Sequence, residues 1–214
     1  MFTAIEAHLY NYGRLLRDGS EVSRNGRTGD VVAEILVQSS SDKSTKVPVL
    51  ASFSSPWPLA SGTVFDVECR NAATGEGSFL AVSSSIGGRA LAELPDTFFV
   101  DELIRPTGRF SFYGTPTDVK VKKSQTEGAY RFIEMSFSTL SQSTQTEIPR
   151  RARIVATVPP GTSQAVMLVG SASATKWKQG SQGTIAQVTE SFRAVPAPTS
   201  AMRMRVKERR SSAL

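Results

Sequence analysis

Gln164-Ala165-Val166-Met167-Leu168-Val169 decides the fold, because this run is apolar on both of its faces. Side chains alternate across a strand, so a strand with one wet face shows a polar residue at every second position. Here only Gln164 is polar. The run follows the turn Pro159-Pro160-Gly161 and reads as a central strand covered on both sides.

Working outward, Arg150 to Val158 alternates, with Ala152, Ile154, Ala156 and Val158 on one face. Tyr130 to Leu140 does the same with Ile133, Met135 and Phe137, and the hydroxyl-rich loop Ser141 to Glu147 joins the two. Three consecutive antiparallel strands result. Downstream, Ser181 to Arg193 predicts a helix with Ile185, Val188 and Phe192 on one stripe, stopped by Pro196 and Pro198. A second helix is expected over Leu91 to Ile104. Asp96 is its expected N-cap, Phe99 and Leu103 lie on its apolar stripe, and Pro106 and Gly108 end it.

Val31 to Val37 is a β-branched strand, and Val47 to Phe53 a second one that Pro48 puts at an edge or a strand start. Val64 to Cys69 and Ser78 to Ser83 form a hairpin around Asn71 to Gly77, and Asp118 to Lys122 a short strand. Residues 18–30 lack periodicity and read as a loop or a loosely docked arm after a short helix over Phe2 to Leu16. The expectation is an α+β fold, an antiparallel β-sheet sandwiched between helices, because a strand apolar on both faces needs a cover on each. The organisation expected is an N-terminal arm (1–30), one domain (31–198) and a basic tail (199–214).

The formal charge is +6, but it is uneven. Arg203, Arg205, Lys207, Arg209 and Arg210 face one acid, Glu208, in the tail, which alone carries +4. The basic tail and Lys176-Trp177-Lys178 make a basic nucleic-acid-binding module the alternative reading, but the body is nearly neutral, which argues against it. The tail alternates basic and apolar residues before turning wholly polar, and suits either an acidic protein surface, anionic headgroups or a solvated end. No run is long and apolar enough to span a bilayer. Met1 to Leu16 lacks the basic and apolar regions of a secretory signal and the Ser- and Arg-rich character of a transit peptide.

Catalytic constellations are sparse. His8 is the sole histidine and lies in the arm, away from any partner for a Ser-His-Asp or metal site. Cys69 is the sole cysteine, so it forms no internal disulfide; it is a small buried hydrophobe, a free thiol or an intermolecular link. Asp66 and Glu68 share a strand face and serve either acid–base chemistry, a hard cation, or simply a solvated face. Gly87-Gly88-Arg89 and Gly75-Glu76-Gly77 fit no phosphate-loop fingerprint. No nucleophile–base pair or cofactor loop emerges, so the expectation is a protein that is not an enzyme.

Two features suit partner binding. Arg150, Arg151 and Arg153 form a basic edge, with Arg151 and Arg153 on one strand face. Lys176-Trp177-Lys178, in a loop before the last helix, could anchor an interface, stack on a base, or tuck Trp177 under that helix.

The ordered C-terminal set resembles the PsbP family. Its pieces are Thr107-Gly-Arg-Phe-Ser-Phe-Tyr-Gly114, the strands at 129–140 and 150–158, and Val166-Met-Leu-Val-Gly-Ser-Ala172. These lead into Lys176-Trp177-Lys178-Gln-Gly180 and a helix ending in Glu190-Ser-Phe192. Pro56-Trp57-Pro58 and Asn71-Ala-Ala-Thr74 fall in the family's order upstream. The resemblance implies an α/β/α sandwich and an extrinsic protein of the chloroplast thylakoid lumen. It implies peripheral association with photosystem II at the oxygen-evolving complex, or, for PsbP-domain paralogues, with photosystem I or the NDH complex as subunit or assembly factor. It brings no catalytic residue and no intrinsic cofactor; calcium ion and chloride retention is implied only by the family. The chain departs from the photosystem II subunit in lacking body histidines, in its unmatched arm and in its basic tail, which favours a paralogue. The expected contacts are Lys176, Trp177 and Lys178, the three arginines, and the tail cations.

Overall fold

The computed structural model describes residues 21–60, 67–111, 114–141 and 144–197. His8, the helix expected over Phe2 to Leu16, Asp66, and tail residues Arg203, Arg205, Lys207, Arg209 and Arg210 lie outside the described residues.

The described chain is mixed α+β, with two antiparallel sheets. Its strands are β1 (Glu21–Arg24), β2 (Asp30–Gln38), β3 (Lys46–Ser54), β4 (Glu68–Arg70) and β5 (Gly77–Ser85). They continue as β6 (Thr117–Glu127), β7 (Tyr130–Leu140), β8 (Glu147–Thr157), β9 (Gln164–Ser173) and β10 (Arg193–Pro196). The helices are α1 (Asp96–Ile104) and α2 (Gln182–Glu190). One sheet runs β1-β2-β3-β10 and the other β4-β5-β9-β8-β7-β6.

β9 sits between β5 and β8, and every residue from Ala165 to Ala172 is buried. One face of the six-stranded sheet gives Met167, Val169, Ile133 and Ile154 to a cluster that also contains Phe99, Val100 and Leu103 of α1. The other face gives Val166, Leu168, Val155 and Leu80 to a second cluster, shared with Ile185, Val188 and Phe192. That cluster also takes the inward residues of β2 and β3: Val31, Ala33, Ile35, Val49, Ala51 and Phe53. A fully buried side chain of this size contributes roughly 1.5–3 kcal/mol, so these two layers dominate stability.

Several expectations change. A single sheet was expected; β2 and β3 instead pair with β1 and β10 and form a second. Residues 21–24, expected in a loop, form β1, because backbone pairing with β2 needs no apolar periodicity. β3 is internal, and Pro48 is tolerated near its start, where its carbonyl accepts from Ala197 N at 2.9 Å. β6 runs through Glu127 and is longer than expected. Asp96 is not the cap of α1; Pro95 holds that position without a side-chain bond. The Asp96 carboxylate instead accepts from Arg131 Nη2 and Ser124 Oγ, each at 2.7 Å. The last helix stops at Glu190, and the chain turns into β10, with Ser54 N donating to Ser191 Oγ at 2.9 Å.

Candidate functional site

The alternation of β8 sends Arg150 to the α1 side of the six-stranded sheet, along with Ala152, Ile154 and Ala156 of the first cluster. Arg151 and Arg153 point the other way, with Val155. Arg150 reaches the end of the sheet where β4 and β5 turn. Its Nη2 donates to the Gly75 carbonyl and to Ser171 Oγ, both at 3.2 Å. Its Nε and Nη1 make no hydrogen bond to the described residues, and it meets no carboxylate among them.

Three more charges gather there. Glu68 of β4 is 5% exposed and accepts from Arg109 Nη2 at 2.9 Å; Arg70 stands 3.9 Å away. The Arg109 guanidinium lies 5.7 Å from the centre of the Phe79 ring. Phe79 meets Phe110 edge-on at 5.7 Å, and Phe110 lies 4.4 Å from Phe137. A cavity of about 230 Å³ opens among Arg150, Arg109, Arg70, Glu68, Phe79 and Phe110. Exposed Arg70 and Leu140 lie at its rim.

Loss of water, and then the charge of Arg109, push the Arg150 guanidinium below its ordinary pKa. Among the described residues, three guanidinium groups against one carboxylate give this cavity an electropositive lining, with an aromatic wall. Such a lining suits an anion, and among the described residues no nucleophile–base pair lines it. Among the described residues no three His, Cys, Asp or Glu side chains group as metal ligands would. No described helix is long and apolar enough to cross a membrane.

The residues expected to bind a partner are dispersed. The basic edge does not form: β8 lies between β7 and β9, so Arg150, Arg151 and Arg153 belong to an internal strand. Arg153 donates from Nη2 to Glu190 Oε1 at 2.8 Å and lies 5.4 Å from the Phe132 ring centre, which ties β8 to α2. Lys176-Trp177-Lys178 is helical rather than a loop. It spans the turn Ala174–Lys176, whose Ser173 hydroxyl accepts from Lys176 N, and the wide turn Trp177–Ser181. Trp177 is 7% exposed and packs in the cluster of Trp57 and Phe192, so it offers no surface for an anchor or a base. Lys178 remains exposed and Lys176 half-buried.

Glu68 is not on a solvated face; it is buried and ion-paired. Cys69, on the opposite face of β4, is buried, and burial pushes its thiol above the ordinary value against the smaller pull of a Ser55 hydrogen bond. The site that the sequence reading missed, Glu68 with Arg70, Arg109 and Arg150, joins residues up to 82 positions apart. Only Thr107-Gly-Arg109-Phe110 stood out in the sequence, as part of the family resemblance. In comparisons with known proteins, no family model and no curated protein matches the chain.

Proposed function

We propose that the chain is a non-enzymatic accessory or assembly protein of the PsbP type, docking peripherally on a photosynthetic membrane complex at the lumenal side of the thylakoid. One observation carries this. Residues 164–192 form, in order, a strand buried on both faces, a turn whose Trp177 packs into the core, and a helix that covers that strand and is followed at once by Ser191-Phe192. That is the order of elements the resemblance implies for the end of the domain. With α1 over the opposite face, the α/β/α sandwich is the finer architecture we infer.

The placement of Trp177 moves the expected contacts toward groups that reach solvent, among them Lys178. No intrinsic cofactor is part of the proposal. The nucleic-acid alternative loses its stacking ring, because Trp177 is buried.

Capture from detergent-solubilised thylakoids, with the full chain as bait, tests the proposal. Subunits of a photosystem or of the NDH complex are expected in the bound fraction at low salt. A bound fraction free of all of them sinks it.

A further inference from the structure

We propose that the cavity between β4, β5 and β8 is a binding site for a small organic dianion, specifically a phosphate monoester with an apolar body. This stands apart from the docking proposal, since it rests on the cavity alone.

Charge comes first. Among the described residues, Arg70, Arg109 and Arg150 against Glu68 give the lining a formal +2. A phosphate monoester carries about −1.5 to −2 near neutral pH and balances it, whereas a carboxylate supplies one charge. Donor geometry comes second. Among the described residues, Gly75 and Ser171 engage only Nη2 of Arg150, which leaves its Nε–H and Nη1 hydrogens for a ligand. Nε–H and Nη1 do not share an edge of the guanidinium, so each offers a single charge-assisted bond to a phosphate oxygen. Gly75 and Ser171 meanwhile hold the guanidinium in place before a ligand arrives, which lowers the ordering cost of binding.

Size and lining come third. At about 30 Å³ per water, a 230 Å³ cavity exceeds a lone ion yet falls below the roughly 300–1,000 Å³ of drug-sized sites. Phe79, Phe110 and Leu140 supply an apolar wall for a ring or short alkyl group. The penalty that burial places on charged Arg150 is offset when an anion pairs with it.

Isothermal titration calorimetry on the full chain, with phenyl phosphate as probe and benzoate and inorganic phosphate as comparators, tests the site. Phenyl phosphate is expected to bind more tightly than benzoate, which lacks the second charge, and than inorganic phosphate, which lacks the ring. Arg150→Gln is expected to weaken phenyl phosphate roughly tenfold or more. Arg70→Gln, at an exposed position that folding tolerates, is expected to weaken it by a smaller factor and so keeps the test open if Arg150→Gln misfolds. No heat with phenyl phosphate, equal affinity for benzoate, or full affinity in folded Arg150→Gln would overturn the proposal.

Discussion

Ile185 of α2 stands directly over Gly170 of β9: a Cβ built on that glycine would come within 2.7 Å of Ile185 Cγ2. The helix therefore rests on bare backbone of the central strand. Ile185 is fully buried, and a β-branched side chain in a helix has essentially one rotamer, so it cannot swing aside. Gly170→Ala is expected to cost about 1–3 kcal/mol by overpacking, read as a lower midpoint in chemical denaturation. Gly183, in the first turn of the same helix, has open space where its Cβ would be. Gly183→Ala is expected to leave stability unchanged or raise it by up to about 1 kcal/mol. A neutral Gly170→Ala would mean that α2 does not sit on β9.

Which parts of this were legible in the sequence follows from range. The burial of β9 on both faces shows in six consecutive residues, and the pairing of β7 with β8 shows in matched alternation across one loop. Alternation also separates Arg150 from Arg151 and Arg153 by face. It does not say that β9 covers the far side of β8, and so three arginines look like an edge. Of the readings open for Trp177 between its lysines, packing under the last helix is the one realised, because a helical turn aims neighbouring residues in different directions. Gly180, at φ +120, breaks that turn from α2 and lets Trp177 point inward while the helix starts afresh. The pairing of Glu68 with Arg109 crosses 41 residues and leaves no local pattern at all.

Cys69 provides a prediction about reactivity and pH. Burial raises its thiol above the ordinary 9.0, so the native protein should react slowly with a disulfide reagent at pH 8 and quickly once unfolded in denaturant. The native state holds the proton more tightly than the unfolded chain does. Its contribution to stability is therefore complete below about pH 9 and declines as pH rises further. Rapid labelling of the folded protein would show that β4 opens, or that the thiol is exposed. Cys69→Ala should remove the alkaline decline attributable to this group.

Glu76 should act in the opposite direction. Its carboxylate accepts hydrogen bonds from Ser181 and Thr74, which hold it below the ordinary 4.5 and join the β4–β5 turn to the start of α2. Lowered in the folded state, it stabilises above pH 4.5 and loses that contribution as pH falls through its folded value. Thermal melts between neutral pH and pH 3 should fall less steeply for Glu76→Gln than for the parent chain. Parallel curves for the two proteins would mean that the Ser181 contact does not favour the charged form.

Glu68 tests the electrostatic balance of the cavity most directly, because its removal affects stability and binding in opposite senses. Its carboxylate is 5% exposed and Arg109 is 23% exposed, so Glu68→Gln removes a charged acceptor from a largely buried guanidinium. Breaking such a pair costs about 3 kcal/mol, visible as a lower denaturation midpoint. A second change, Arg109→Gln, removes the other member of the pair and should recover part of that loss, which a double-mutant cycle measures as coupling. In the cavity the same Glu68→Gln change removes the only negative lining group among the described residues. Phenyl phosphate should then bind more tightly to Glu68→Gln than to the parent, and should raise the variant's melting temperature by the larger amount, since binding to the native state alone stabilises it. A variant that is destabilised but gains no affinity would show that Glu68 serves only to neutralise Arg109. A variant that gains affinity without losing stability would show that the Glu68–Arg109 pair is solvated, and that the cavity is wetter than its lining suggests.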